Sequence, residues 1–76
     1  MNEQILDMLK ELRPEYDFET SVDFVMDGLL DSFDIVSICG MLEETYGIKI
    51  DGLDIVPENF SSVAAIRSLV EKSLGK

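Results

Sequence analysis

Apolar residues recur at helical spacing in three separate runs of this chain, and that pattern leaves room for little but a helical bundle. The first run is Ile5, Met8, Leu9 and Leu12. The second is Ile35, Ile38, Cys39, Leu42 and Tyr46, and the third is Val63, Ile66, Leu69, Val70 and Leu74. Helix punctuation stands at the ends of each. Asn2 is placed to cap the first, with Glu3 in its opening turn, Arg13 near its end and Pro14 to stop it. Asp31 or Ser32 caps the second, which then runs from Ser32 to Tyr46. Asp34 supplies negative charge to its first turn, and Gly47 ends it. Ser61 or Ser62 caps the third, with Lys72 and Lys76 suited to its C-terminal end.

The segments between these runs are less regular. From Glu15 to Asp31 the chain is acidic, with large apolar residues that follow neither a helical nor an alternating period. A structureless loop of that length is unusual in a small domain. Val22, Phe24 or Val25, and Leu29 are expected to pin it across the helices, with a short helical turn inside it, a turn at Thr20-Ser21 and a positive φ at Gly28. Ile48-Lys49-Ile50 has no strand to pair with and reads as an extended connector that buries one or both Ile residues. Asp51-Gly52 makes a turn, and Leu53 to Phe60 holds one short helical turn with Pro57 near its start. The expected fold is all-α: one domain over residues 1–76, with three main helices, one short helix and a long first loop. Such helices are marginal alone and stabilise one another by packing.

Charge narrows the function. Sixteen Asp and Glu face six Lys and Arg, for a net charge of −10. Between Pro14 and Ile48 there are nine acids and no base. Nucleic acid demands the opposite sign, and an anionic membrane surface would repel the chain. A basic protein surface is the partner that this charge would steer. No apolar run is long enough to span a bilayer, and no signal peptide is recognised, so no membrane insertion is expected. The single Cys39 excludes an internal disulfide, which suits a reducing cytoplasm, and it falls on the core stripe. A monomer is expected.

Histidine is absent. That removes the Ser-His and Cys-His nucleophile pairs and the commonest metal ligand. No glycine-rich phosphate loop is present. A calcium loop is the decoy to answer. Asp23, Asp27, Gly28, Asp31 and Asp34 fall on its template, but Val25 occupies a ligand position and the last ligand is an Asp rather than the longer Glu. No metal site is expected beyond weak divalent binding to the acidic cluster.

Ser32 opens the second helix beside an acidic loop, where free backbone N–H groups tolerate a phosphate. Asp31-Ser32-Phe33, then Ile35-Val36-Ser37-Ile38 and Leu42-Glu43-Glu44-Thr45-Tyr46-Gly47-Ile48, resembles the acyl carrier protein signature. The likeness continues through Ile50 and Pro57-Glu58-Asn59-Phe60-Ser61-Ser62-Val63-Ala64-Ala65-Ile66 and so covers nearly the whole chain. The resemblance implies a carrier, not an enzyme. Ser32 would hold a covalent 4′-phosphopantetheine arm, taken from coenzyme A by a phosphopantetheinyl transferase that uses magnesium. Adenylating or acyl-transferring enzymes with basic docking surfaces would load the arm's thiol as a thioester.

The second helix would be what those enzymes read. Asp31 and Asp34 would meet basic groups of the transferase. Phe33, Val36, Met41, Glu43 and Glu44 would form the wider docking face. Two positions depart from fatty-acid carriers: Ser37, where many have an acid, and Gly40, where a larger apolar residue is common. The length from Ile50 to Ile66 resembles that of D-alanyl carrier proteins, as does Leu29-Leu30-Asp31-Ser32-Phe33. Fatty-acyl, aminoacyl, polyketide and peptidyl cargoes all stay open. The alternative from another class is an acidic helical interaction module, or a weak divalent-ion sensor, without a prosthetic group.

Overall fold

A computed structural model describes residues 2–75. Three α-helices account for the three apolar runs: α1 (Asn2–Leu12), α2 (Ser32–Tyr46) and α3 (Val63–Leu74). Two short 3₁₀ helices, Gly52–Asp54 and Pro57–Phe60, lie between α2 and α3. No strand occurs among the described residues.

Each helix end has a local cause. Asn2 is the first residue of α1 rather than the residue before it, so the cap position lies outside the described residues, as does Lys76 at the far end. Asp31 caps α2, and its side chain accepts from the Asp34 N–H. At the other end Gly47 adopts φ 64°, which glycine enters without the Cβ clash that penalises other residues, and its N–H donates to the Glu43 carbonyl. Ser62 caps α3 by accepting from the Ala65 N–H at 3.0 Å. Pro57 opens its 3₁₀ helix, where a missing N–H costs nothing.

The three stripes meet in one core. Ile5, Met8 and Leu9 of α1 pack with Ile35, Ile38, Cys39 and Leu42 of α2 and with Ile66, Leu69 and Val70 of α3. Leu74 was expected to extend the third stripe, but it is half exposed, one turn beyond the last buried residue. Two connector residues fill the remaining gaps, Ile50 after α2 and Phe60 before α3. Ile48 is only partly buried, so the extended connector is anchored by Ile50.

The long first loop contributes core of its own. Phe18, Phe24 and Leu30 are buried, and the rings of Phe18 and Phe24 meet edge to face at 5.1 Å. Backbone hydrogen bonds fix the loop as firmly as the rings do. The Phe24 N–H donates to the Ser61 carbonyl at 2.8 Å, and the Phe24 carbonyl accepts from Leu29 and Leu30 at 2.8 and 3.1 Å. Val22, expected as a pin, is 90% exposed instead. Phe24 takes that role because its neighbours turn back on themselves: the Asp23 carbonyl accepts from the Asp27 N–H, and Gly28 follows at φ 78°. A turn forms at Phe18–Thr20, ahead of the expected Thr20-Ser21.

Candidate functional site

The start of α2 is built from reciprocal hydrogen bonds. Asp31 Oδ1 accepts from the Asp34 N–H at 2.9 Å, and Asp34 Oδ2 accepts from the Asp31 N–H at 3.2 Å. Two N–H groups that the helix itself leaves unpaired are thereby satisfied within three residues. The Asp34 N–H holds the Asp31 carboxyl below its ordinary pKa, with side-chain and Arg13 charge effects adding in the same direction against desolvation.

Asp34 has a second partner. Arg13, just past the end of α1, places Nε 3.1 Å from Asp34 Oδ1 and Nη2 3.0 Å from the same atom. The Asp34 hydrogen bond and charge hold the Arg13 guanidinium above its usual pKa. Asp34 is only 4% exposed. The expectation of an open Asp34 facing a partner is therefore corrected. Its cation comes from the end of α1 in the same chain, and the pair ties the end of α1 to the start of α2.

Ser32 lies between these two aspartates in sequence and differs from both. It is exposed, and among the described residues its hydroxyl takes part in no hydrogen bond. Asp31 fills the cap position, so the Ser32 oxygen has no structural task. No histidine exists in the chain to activate it.

The other residues singled out from the sequence divide into two groups. Phe33 is 79% exposed and Val36 is 64% exposed, both large apolar side chains on the outer side of α2. Asp31 and Glu44 are exposed beside them. Met41 and Glu43 are not free in the same way. Met41 packs partly against the core, because it neighbours buried Ile38 on the helix surface. Glu43 Oε2 accepts from the Ile50 N–H at 2.9 Å and so fastens the connector to α2. Cys39 is buried, and desolvation, with some help from Glu43, pushes its thiol up to about 11.

The calcium-loop aspartates do not converge. Asp23 Oδ1 accepts from the Val25 and Met26 N–H groups, Asp27 Oδ2 accepts from the Ser21 hydroxyl, and Asp34 is held by Arg13. Among the described residues no three acidic or thiol groups lie together to hold a metal ion. An apolar cleft of about 420 Å³ opens between the N-terminal ends of α1 and α3, lined by Leu6, Phe18, Phe24 and Val63, and no residue of α2 borders it. No described helix is long and apolar enough to cross a membrane.

Nothing in the sequence pattern marked Arg13 as part of this region, beyond its suitability for a helix C-terminus. Its contact with Asp34 spans 21 residues and depends on how α1 and α2 pack. Comparison of the chain with protein-family models, with curated proteins and with solved structures finds no match.

Proposed function

We propose that this chain is a carrier that holds an acyl or aminoacyl group as a thioester on a 4′-phosphopantetheine arm attached to Ser32. One observation supports the reading above the others. The hydroxyl of Ser32 is exposed and unbonded at the first turn of α2, while Asp31 does the capping. A serine kept for the fold would be expected to cap. This one is available for esterification without loss of a structural bond. The resemblance from Asp31 to Ile48 and from Pro57 to Ile66 supplies the identity of the arm.

In this reading Ser32 is the substrate of a phosphopantetheinyl transferase. A phosphoester bond forms between Ser32 Oγ and the phosphopantetheine phosphorus as the pyrophosphate link of coenzyme A breaks; adenosine 3′,5′-bisphosphate leaves, and the serine proton goes to a base of the transferase. Once attached, the flexible arm raises the effective concentration of its cargo at each partner's active site. The docking face is Asp31, Phe33, Val36 and Glu44. Asp34, Glu43 and Met41 shape that face from below rather than forming it. The chain itself supplies no catalytic residue, and its residence is the cytoplasm.

The different-class reading is an acidic interaction module without a prosthetic group. The exposed Phe33 and Val36 would serve it equally well. Incubation with coenzyme A, Mg²⁺ and a broad-specificity transferase separates the two, read by intact mass. A carrier gains one phosphopantetheine per chain. An unchanged mass, with the transferase active on another carrier in the same tube, leaves the interaction module.

A further inference from the structure

Ser32 is held in place by bonds that it does not make itself. The Asp31 N–H donates to Asp34 Oδ2 at 3.2 Å, the Asp34 N–H donates to Asp31 Oδ1 at 2.9 Å, and the Ile35 N–H donates to the Asp31 carbonyl at 3.0 Å. Ile35 is buried in the core. The turn that carries Ser32 is thus closed on both sides of the serine, and the first two of these bonds run to Asp34.

Asp34 is in turn held from outside its own helix. Arg13 Nε lies 3.1 Å from Asp34 Oδ1 and 3.2 Å from Oδ2, and Arg13 Nη2 lies 3.0 Å from Oδ1. A guanidinium that spans both oxygens fixes the plane of a carboxylate as well as its position. Arg13 is itself anchored. Its N–H continues the α1 ladder by donating to the carbonyl of buried Leu9 at 2.9 Å, and its carbonyl accepts from the Tyr16 N–H at 3.3 Å. Direct contacts therefore run from α1 through Arg13, Asp34 and Asp31 to the backbone on which Ser32 sits. The first turn of a helix is where fraying is easiest, because its N–H groups lack partners within the helix. A nucleophile on a fraying turn spends less of its time at reacting distance.

We propose that Arg13 is a positioning residue for the modification of Ser32: through Asp34 and Asp31 it holds the first turn of α2 in the geometry in which Ser32 Oγ attacks the phosphopantetheine phosphorus. This rests on the carrier reading above. It adds a residue from another helix, acting on the core side of α2 rather than on its outer face. In the step itself the Oγ–phosphorus bond forms, the pyrophosphate link of coenzyme A breaks, adenosine 3′,5′-bisphosphate leaves and the serine proton passes to a base of the transferase. Arg13 acts without touching the coenzyme or the reacting atoms.

The test is steady-state transfer from coenzyme A by a broad-specificity transferase with Mg²⁺, this chain being the varied substrate, at a temperature where circular dichroism shows every variant folded. Arg13→Ala is expected to lower kcat roughly tenfold and to leave the KM for the chain within about twofold of wild type, because the outer face of α2 is untouched and only the placement of Oγ is loosened. Arg13→Lys keeps the charge but not the fork, and is expected to recover part of the lost kcat. Ile66→Val, which trims the buried core on α3, is the control for lowered stability and is expected to keep the wild-type kcat and KM. A wild-type kcat in Arg13→Ala, a change in KM alone, or equal slowing in Ile66→Val overturns the positioning role and leaves the carrier reading standing. Should Arg13→Ala fail to fold, Arg13→Lys decides: a lowered kcat at unchanged KM supports the role, and a wild-type kcat overturns it. A wild-type chain that is never loaded overturns the carrier reading and the positioning role with it.

Discussion

Asp31 and Ser32 are adjacent, and the cap falls to Asp31, which leaves the Ser32 hydroxyl unbonded. Replacing Asp31 by Ala removes an N-cap and is expected to lower the midpoint of urea unfolding. Ser32→Ala removes no hydrogen bond and is expected to stay within ~0.5 kcal/mol of wild type. A larger loss in Ser32→Ala than in Asp31→Ala would assign the cap to the wrong residue. The cap also carries a pH dependence. The folded Asp31 pKa lies below its ordinary 3.8, so its contribution is fully present above 3.8 and is lost as pH falls through the folded value. Asp31→Asn keeps a good cap and lacks that acid-side loss. A second prediction concerns the thiol. Buried Cys39, with its pKa near 11, is expected not to react with a thiol reagent at pH 8 in the native unmodified chain. In the proposed carrier role, a chain that bears the arm without cargo is expected to show one reactive thiol, that of the arm. Rapid reaction of the unmodified chain would mean that the α2 stripe opens. At this scale the sequence was informative where local spacing decides the matter, as at Asp31, Cys39 and Gly47. It was silent on Asp34, whose burial depends on Arg13, 21 residues earlier.

Helices α1 and α2 are joined near the candidate site by the Arg13–Asp34 pair and at their other ends by the Tyr46 hydroxyl, which donates to Gln4 Oε1 at 2.9 Å. The first contact is the more consequential, because the Asp34 side chain is 6% exposed and the Arg13 side chain 37%. Removing the cation strands a nearly buried carboxylate. Arg13→Ala is therefore expected to lower stability to urea, by an amount tempered because solvent already reaches the guanidinium. Adding Asp34→Asn to that variant removes the stranded charge and is expected to recover part of the loss. A double variant no more stable than Arg13→Ala would show that the pair is merely a surface contact. The elements themselves were largely legible. All three helices follow their apolar stripes, and α2 runs over the expected Ser32–Tyr46. The loop from Glu15 to Asp31 was the hard part, because its apolar residues have no period. Phe24 and Val22 look equally able to pin it in the sequence. Only the backbone bonds to Ser61, Leu29 and Leu30 turn Phe24 inward and leave Val22 in solvent. Two 3₁₀ helices stand where a turn at Asp51-Gly52 and one short helical turn were expected, because Asp51 starts a 3₁₀ helix of its own, its side chain accepting from the Leu53 N–H.

Across the whole molecule, acidic residues outnumber basic ones by sixteen to six. A chain at −10 repels itself, and salt is expected to raise its melting temperature gradually rather than at a stoichiometric ion concentration. In the proposed carrier role the same field would steer a basic partner. Glu44 is exposed on the outer side of α2, whereas Asp7 and Glu71 are exposed on α1 and α3. Glu44→Lys is therefore expected to slow loading at low salt more than Asp7→Lys or Glu71→Lys does, with the gap closing as salt rises. Equal slowing by all three would make the effect one of net charge alone. The central claim is that Ser32 carries the arm. It is tested most directly by peptide-resolved mass spectrometry of wild type and Ser32→Ala after incubation with coenzyme A, Mg²⁺ and the transferase. One phosphopantetheine on the wild-type peptide containing Ser32, and none on a Ser32→Ala chain that melts at the wild-type temperature, is the predicted result. Phosphopantetheine on the Ser32→Ala chain, or none on either, would contradict it.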